Sequence, residues 1–135
     1  MALKTIEKAG AAYSETAGKI FAVEWSVLKQ LRHPGLPIIF DIIDREDMLI
    51  LVMDYFQGKT LDQLLQEQGT QPKKLVIEWG IQLCDILEYL HSNIPPIIYR
   101  DMKPSNIIQQ PNGRLVLVDF GSAYEYGSHE AVVRY

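Results

Sequence analysis

The chain has 135 residues, 47% of them apolar and 22% charged, which is enough material for one ordinary globular core. Its 13 Lys and Arg residues are outnumbered by 17 Asp and Glu residues, and the net charge of −4 argues against a nucleic-acid partner. The one cysteine, Cys84, excludes an internal disulfide and fits a reducing, cytoplasmic location. No apolar run reaches the ~20 residues that span a bilayer, and the first residues lack a secretory signal, so no membrane segment is predicted.

The first predicted elements are a strand over residues 1–6 and a helix over residues 14–31. Alternation in the strand puts Ala2 and Lys4 on one face, so that a lysine points with the apolar set. In the helix, Glu24 falls inside the apolar stripe. Each of these two elements therefore carries a charge on an otherwise apolar face.

The middle of the chain predicts a hairpin followed by two helices. Apolar runs at residues 36–43 and 48–55 flank a charged turn, which is typical of two antiparallel strands. A short amphipathic helix is predicted over residues 60–69 and a long one over residues 72–92. Cys84, between apolar neighbours on the long helix, is predicted to be a small buried side chain. The predicted buried stripe of the long helix consists of Val76, Gly80, Leu83, Leu87 and Leu90.

A polar segment at residues 99–106 follows, and it is too polar for a strand. Residues 107–118 predict a second small hairpin, which ends at Asp119-Phe120-Gly121. Residues 122–135 are polar and show no periodic pattern.

Four motifs in this order resemble those of one family. The polar segment, Y-R-D-M-K-P-S-N, resembles the protein-kinase catalytic loop H-R-D-L-x-x-x-N, and Asp119-Phe120-Gly121 matches D-F-G. Asn106 and Asp119 are separated by thirteen positions, which also suits that family. Met1-Ala2-Leu3-Lys4 resembles its V-A-I-K strand, and Glu24 falls where its helix C glutamate is expected. The chain is identified as a member of the eukaryotic-type protein kinase superfamily. Its sequence as a whole resembles those of bacterial serine/threonine kinases.

The resemblance implies an α+β fold, part of the bilobal kinase architecture. Residues 1–53 would be a remnant of the upper lobe, with a small antiparallel sheet and helix C. Residues 54–58 would be the hinge, and residues 59–135 the start of a mostly helical lower lobe, through D-F-G to the beginning of the activation segment. No Gly-rich G-x-G-x-x-G loop and no A-P-E motif occur in the sequence, which predicts a domain truncated at both ends.

The resemblance also assigns the residues of a phosphoryl-transfer centre. Asp101 would orient the substrate hydroxyl, and Lys103 would neutralise charge on the moving γ-phosphoryl group of ATP. Asn106 and Asp119 would hold Mg²⁺. Taken alone, Asp and Asn at these positions could be ordinary loop and turn formers.

The same resemblance predicts how ATP is held. Lys4 would contact the α and β phosphates and pair with Glu24; the alternative is an exposed strand lysine and a solvated helix glutamate. Met53 would be the gatekeeper, and the Asp54 carbonyl and Phe56 amide would bond the edge of the adenine. The faces of the adenine would lie between two further residues, Ala2 and Ile108.

Tyr99 stands where the family usually has histidine. The resemblance places it in a column of apolar side chains, the regulatory spine, with Leu28, Ile39 and Phe120. A tyrosine ring can fill that space, and its hydroxyl needs a hydrogen-bond partner if it is buried.

The Lys103-Pro104-Ser105 sequence favours a serine/threonine protein substrate over a tyrosine substrate. Two other functions stay open at this point: a non-catalytic kinase-like module that binds nucleotide or a partner, and a small-molecule phosphotransferase of the same fold. The three histidines, His33, His91 and His129, are dispersed and are predicted to be structural instead of metal ligands.

Overall fold

The computed structural model describes residues 1–7, 29–120 and 124–125. The predicted helix over residues 14–31 lies almost wholly outside these residues, and so do Glu24 and Leu28. Lys29, at its end, is helical. The described strands are β1 (Ala2–Glu7), β2 (Ile39–Asp44), β3 (Met48–Met53), β4 (Lys59–Thr60), β5 (Ile97–Ile98), β6 (Ile107–Gln109), β7 (Leu115–Leu117) and β8 (Tyr124–Glu125), and the described helices are α1 (Leu61–Gln68) and α2 (Lys73–His91).

The first sheet has the order β1-β3-β2, with both pairs antiparallel. This confirms the predicted strand and hairpin. In β1, Leu3 is 65% exposed whereas Lys4 points inward opposite the buried Leu51, as the alternation predicted. The hairpin is shorter than predicted, because Leu36 forms a turn with His33 before the strand begins.

Helix α1 confirms the short helix predicted over residues 60–69, and capping residues define both of its ends. The Thr60 hydroxyl accepts a hydrogen bond from the Gln63 amide, and the Gln63 side chain accepts one from the Thr60 amide. Gly69 follows the last turn with a positive φ of 73°. Thr60 also belongs to β4, which pairs with β6 and extends the predicted hairpin to a three-stranded sheet of order β4-β6-β7.

Helix α2 confirms the predicted long helix and part of the predicted stripe, since Leu90 is buried and Leu83 and Leu87 pack against the core. Trp79, Ile86 and Leu90 are buried, whereas Val76 is 49% exposed. The prediction for Cys84 was also wrong, because its side chain is exposed. It precedes Ile86 by two positions, and this puts it about 200° around the helix from the core. Neither α2 nor any other helix within the described ranges is both long and apolar enough to cross a membrane.

One core joins the helix to the small strands. Its fully buried members include Ile97 on β5, Leu115 and Leu117 on β7 and Leu90 on α2. Strand β5 also pairs with β8. No strand was predicted in residues 122–135, whose sequence shows no periodic pattern. The described elements are small antiparallel sheets with helices, which confirms the α+β class.

A side chain fixes the hairpin β6–β7 to helix α2. The Gln82 Nε2 atom donates to the Gly113 carbonyl at 3.2 Å, and the Leu115 amide donates to Gln82 Oε1 at 2.8 Å. One amide group thus satisfies a donor and an acceptor of the hairpin. The hairpin that precedes Asp119 is therefore held against the longest described helix.

Candidate functional site

The segment over residues 99–106 is an irregular loop that ends in a 3₁₀ turn, Pro104–Asn106. Asn106, the last residue of this turn, is held by hydrogen bonds from both of its main-chain groups. The Asn106 amide donates to the Lys103 carbonyl at 2.9 Å, and the Val118 amide donates to the Asn106 carbonyl at 2.9 Å. Both main-chain groups of Asn106 are thus paired, one within the loop and one with the end of the second hairpin.

The side chain of Asn106 is bonded to Asp101. Its Nδ2 atom donates to Asp101 Oδ2 at 2.9 Å and to the Asp101 main-chain carbonyl at 3.0 Å. Asn106 is 6% exposed, and the Asp101 side chain is 33% exposed. The structure therefore brings together two residues that the motif separates by five positions, and it holds the Asp101 carboxylate in one orientation at the surface of the core.

A lysine lies next to the same carboxylate. Lys103 Nζ is 3.5 Å from Asp101 Oδ2, and the lysine side chain is 54% exposed. A pair this exposed contributes little to stability. Its chemical effect is local, since it places a solvent-exposed positive charge beside the candidate base.

Tyr99 connects the loop to the Asp119-Phe120 segment. Its buried hydroxyl donates to the main-chain carbonyl of Val118, and its ring packs edge-on against Phe120 with centroids 5.0 Å apart. Burial, together with the negative charges of Asp119 and Asp101, raises the pKa of the Tyr99 hydroxyl far above its ordinary value. The hydroxyl therefore stays protonated and remains a donor. The expected hydrogen-bond partner of this tyrosine is thus Val118.

Asp119 lies close to Lys4. Lys4 Nζ is 3.5 Å from Asp119 Oδ1, and the two side chains are 35% and 53% exposed. The predicted partner of Lys4, Glu24, lies outside the described residues. The backbone of Asp119 has φ 66°, in the left-handed region that non-glycine residues seldom adopt, and Arg100 next to Asp101 has φ 64°. One strained backbone position therefore lies in the catalytic-loop motif and the other in the Asp119-Phe120-Gly121 motif.

The predicted hinge begins at the end of β3. Ala2 pairs with Met53, so the predicted adenine contact on β1 is adjacent to the predicted gatekeeper. The Asp54 amide donates to the Ile38 carbonyl at 3.0 Å, and the Ile38 amide donates to Asp54 Oδ2 at 2.9 Å. The sequence did not predict this pair, because its members lie sixteen positions apart.

At the far end of the hinge, Gly58 approaches strand β6 closely. Its φ is 147°, and a Cβ atom at this position would lie 2.0 Å from the Gln109 carbonyl oxygen. Only glycine permits this approach. Strand β6 also carries Ile108, the other residue predicted to contact adenine, which is partly buried and pairs with Thr60.

The oxygen atoms at the site suit a hard cation. The Nδ2 atom of Asn106 is used by Asp101, so Oδ1 is the remaining group of that amide, and Asp119 offers a half-exposed carboxylate. Mg²⁺ is usually held by one or two such protein oxygens together with substrate phosphates. Over residues 1–7, 29–120 and 124–125 there is no group of three His, Cys, Asp or Glu side chains that could hold a metal alone.

His33 has structural partners instead. The Gly35 amide donates to its Nδ1 atom at 2.9 Å, so Nε2 carries the proton that bonds Asp85 Oδ2 at 2.9 Å. Its ring also lies 5.1 Å from that of Tyr89 on α2. The prediction of a structural role is confirmed for this histidine.

Comparison with known proteins gives the family. The sequence model of the family described as "Protein kinase domain" matches residues 1–135. The chain is 36% identical over 106 residues to "Serine/threonine-protein kinase PKH3" of Eremothecium gossypii. The aligned region covers 78% of this chain and 14% of that protein. It is 34% identical over 133 residues to "Serine/threonine-protein kinase 36" of Pongo abelii, covering 98% of this chain and 10% of that protein.

A bacterial relative is similar to the same degree. The chain is 34% identical over 103 residues to "Probable serine/threonine-protein kinase CPE1738" of Clostridium perfringens, covering 76% of this chain and 15% of that protein. The chain thus spans 10 to 15% of the length of these three relatives. The catalytic-loop geometry, the Asp119-Phe120 segment and the match over residues 1–135 together show that this chain belongs to the protein kinase domain family.

Proposed function

We propose that this chain carries the nucleotide-binding and catalytic-loop part of a protein kinase that transfers the γ-phosphoryl group of ATP to serine or threonine hydroxyls of protein substrates. The observation that carries the proposal is the double hydrogen bond from Asn106 to Asp101, with Lys103 3.5 Å from the same carboxylate. The relatives support the substrate class, since their names describe serine/threonine-protein kinases.

The geometry of the loop supports the proposed chemical roles. Asp101 Oδ2 is held by Asn106, so its carboxylate is oriented before a substrate arrives and can accept a hydrogen bond from the attacking hydroxyl. Lys103 lies within reach of the same space and can offset negative charge on the moving phosphoryl group. Positioning and electrostatics are what this reaction requires of a protein.

The proposed phosphate and metal site lies at the other motif. Asn106 Oδ1 and the Asp119 carboxylate would hold Mg²⁺, which neutralises charge on the ATP phosphates when it is bound. Lys4, 3.5 Å from Asp119, would reach the α and β phosphates from the same side. Glu24 is proposed as a second partner of Lys4.

The proposed adenine site lies between β1, the hinge and β6. The Asp54 carbonyl and the Phe56 amide would bond the edge of the base, with Met53 behind it. Ala2 and Ile108 would contact its faces. The placement of Ala2 beside Met53 supports this arrangement.

The domain boundaries are proposed to be an upper-lobe part at residues 1–53, a hinge at residues 54–58 and a lower-lobe part at residues 59–135. We further propose that the chain is part of a longer kinase. The proposal is supported by the 10 to 15% of the relatives' length that the chain spans and by the exposure of Val76, Ile77 and Ile81 on α2. A cytoplasmic location without a nucleic-acid partner is proposed from the single cysteine and the negative charge.

A bacterial origin is also proposed. It is supported by the resemblance of the sequence as a whole to bacterial kinases and by the Clostridium perfringens relative. Fungal and primate relatives reach similar identities.

An activity assay with one matched pair of variants tests the function. The protein at its full natural length is incubated with Mg-ATP and a generic protein substrate. Asp101→Asn is compared with Asp47→Asn, the same change at an exposed position in the β2–β3 turn. Loss of a positioned acid–base group lowers turnover at least about 100-fold, so Asp101→Asn should lose activity and Asp47→Asn should keep it.

The opposite result identifies the other function. If the wild-type protein binds Mg-ATP and transfers no more phosphate than Asp101→Asn does, the chain is a nucleotide-binding module without kinase activity. Analysis of the phosphorylated residues in the substrate distinguishes serine and threonine from tyrosine.

A further inference from the structure

The start of the hinge departs from regular strand pairing in a way that affects one main-chain oxygen. Strands β2 and β3 pair antiparallel, with Ile39 opposite Met53. The next pair outward is Ile38 and Asp54. In a regular antiparallel ladder such a pair exchanges two main-chain hydrogen bonds, one from each amide to the opposite carbonyl.

Only one of the two bonds is a main-chain bond. The Asp54 amide donates to the Ile38 carbonyl at 3.0 Å, as the ladder requires. The returning bond goes from the Ile38 amide to Asp54 Oδ2 at 2.9 Å, and the main-chain carbonyl of Asp54 is not used. The carboxylate has thus taken the place of its own residue's carbonyl in the ladder. This is the way in which short Asp and Asn side chains replace main-chain acceptors in turns.

The substitution leaves the Asp54 carbonyl available. Among the hydrogen bonds of the described residues, none ends on that oxygen. Asp54 is half-buried, next to Met53 and therefore next to Ala2, at the proposed edge of the base site. A main-chain acceptor without a partner at such a place favours a ligand with an N–H donor.

We propose that the Asp54 side chain is a positioning residue for base recognition: by binding the Ile38 amide it keeps the Asp54 carbonyl out of the sheet, where it can accept the exocyclic amino group of adenine. The inference rests on the proposed nucleotide-binding function. It adds that the side chain at this position determines selectivity for a 6-aminopurine, although the contact to the base is made by main chain.

The mechanism makes a prediction about side chains of equal shape. Asparagine at position 54 keeps an acceptor oxygen for the Ile38 amide, whereas leucine has a similar branched shape and no acceptor. In Asp54→Leu the Ile38 amide loses its carboxylate acceptor, and the acceptor that regular strand pairing offers is the main-chain carbonyl of residue 54. Leaving a partly buried amide without a partner is unfavourable. The ladder would then close, and the carbonyl would be lost to the ligand.

The test compares two nucleotides on the protein at its full natural length. Dissociation constants are measured by calorimetry with Mg²⁺ and either ATP or purine riboside 5′-triphosphate, which lacks the 6-amino group. One net hydrogen bond corresponds to a preference for ATP of roughly 3- to 10-fold. The wild type and Asp54→Asn should show this preference, and Asp54→Leu should show a ratio close to one while binding the purine analogue as tightly as the wild type does.

Each other outcome has a defined meaning. If Asp54→Leu keeps the wild-type ratio, or if Asp54→Asn loses it, the side chain does not control the carbonyl and the inference is overturned. A wild type that binds both nucleotides equally also overturns it, although nucleotide binding itself would stand. If the wild type binds neither nucleotide, the proposed function fails first.

Asp54→Ala provides a second variant without an acceptor in case Asp54→Leu does not fold. Thermal unfolding identifies the folded variants before titration. A loss of preference in the folded non-acceptor variant supports the inference, and a retained preference overturns it. A merely structural role for Asp54 would weaken binding of both nucleotides alike and leave their ratio unchanged.

Discussion

Asn106 donates two hydrogen bonds from one nitrogen atom to Asp101, one to the carboxylate and one to the main-chain carbonyl. The pair fixes both the rotamer of the aspartate and the path of the loop that carries it. A residue assigned to metal binding by its motif is thus also what orients the candidate base.

Replacing Asn106 should therefore impair the loop even without metal. Asn106→Ala removes both bonds from a residue that is 6% exposed and should lower the free energy of unfolding by about 1 to 3 kcal/mol. Misplacement of Asp101 should lower kcat by roughly 100-fold. Thermal unfolding in metal-free buffer and steady-state phosphorylation measure the two effects. Ser105→Ala, an exposed neighbour in the same turn, should change neither; a fully stable Asn106→Ala protein would show that the two bonds do not hold the loop.

Tyr99→Phe removes only the hydroxyl that donates to the Val118 carbonyl. We expect a loss of about 1 to 3 kcal/mol in the free energy of unfolding, because a partly buried carbonyl loses its donor while the ring packing against Phe120 remains. Chemical denaturation measures the difference. Tyr99→Ala should cost more, about 3 to 5 kcal/mol, because it also leaves a cavity. Equal losses for the two variants would contradict the importance assigned to the ring.

The same tyrosine predicts a pH dependence of stability. The pKa of Tyr99 is raised in the folded state above its ordinary value of 10.0, so above that pH the unfolded chain loses the proton first. The folded state then binds more protons than the unfolded state, and its stability falls as pH rises. The wild type should lose about 1.4 kcal/mol per pH unit more than Tyr99→Phe above pH ~10, and no such difference should appear below pH ~9. Parallel denaturation series at several pH values measure it.

Two glycines should respond to the same substitution with opposite signs. Gly58→Ala places a Cβ atom 2.0 Å from the Gln109 carbonyl oxygen at a φ of 147°, and should cost roughly 2 to 4 kcal/mol. Gly80→Ala meets no atom within 4 Å inside helix α2, and should add about 0.5 to 1 kcal/mol of stability. Thermal unfolding of both variants tests the contrast. Two shifts of the same sign would show that the hinge does not approach β6 as closely as described.

Gln82→Ala should loosen the hairpin that precedes Asp119. It leaves the Leu115 amide and the Gly113 carbonyl without their side-chain partner and should cost about 1 to 3 kcal/mol. Hydrogen exchange at the Leu115 amide should accelerate more than exchange elsewhere in the core. Gln66→Ala is the matched control, because its only side-chain bond is to Asp62 one turn earlier on the exposed face of α1 and is worth about 0.5 kcal/mol. Unchanged exchange at the Leu115 amide would show that the Gln82 side chain does not hold the hairpin to α2.

The sequence predicted those helices and strands whose signals come from residues close together in the chain. The helix over residues 60–69 was predicted from its amphipathic pattern, and the two hairpins from apolar runs on either side of a turn, because those signals lie within a few residues of each other. The buried face of α2 was predicted only in part: Leu90 is buried and Leu83 and Leu87 pack against the core, but Val76 is exposed. Leu75, Val76, Ile77 and Ile81 surround the helix with apolar side chains, so periodicity cannot select the face that packs; Trp79, the largest of the helix's buried side chains, lies beside the predicted stripe.

The candidate site also has a part that the sequence predicted and a part that it did not predict. The motif predicted Asp101, Lys103 and Asn106 together, and the structure brings these three together. The Ile38–Asp54 pair and the Gln82 clamp had no sequence signal, since each joins a side chain to main chain sixteen to 33 positions away. Strand β8 was missed for a related reason, because a two-residue strand is defined by its partner β5 and not by its own pattern.

The left-handed backbone at Arg100 and Asp119 has a consequence for anyone who engineers this domain. Each position holds a side chain where glycine would relieve local strain, of the order of 1 kcal/mol or more. A library screened only for heat resistance would therefore enrich glycine at both places. At position 119 the enriched variant would have lost its carboxylate, so selection for heat resistance alone would remove one of the two side chains proposed to hold Mg²⁺.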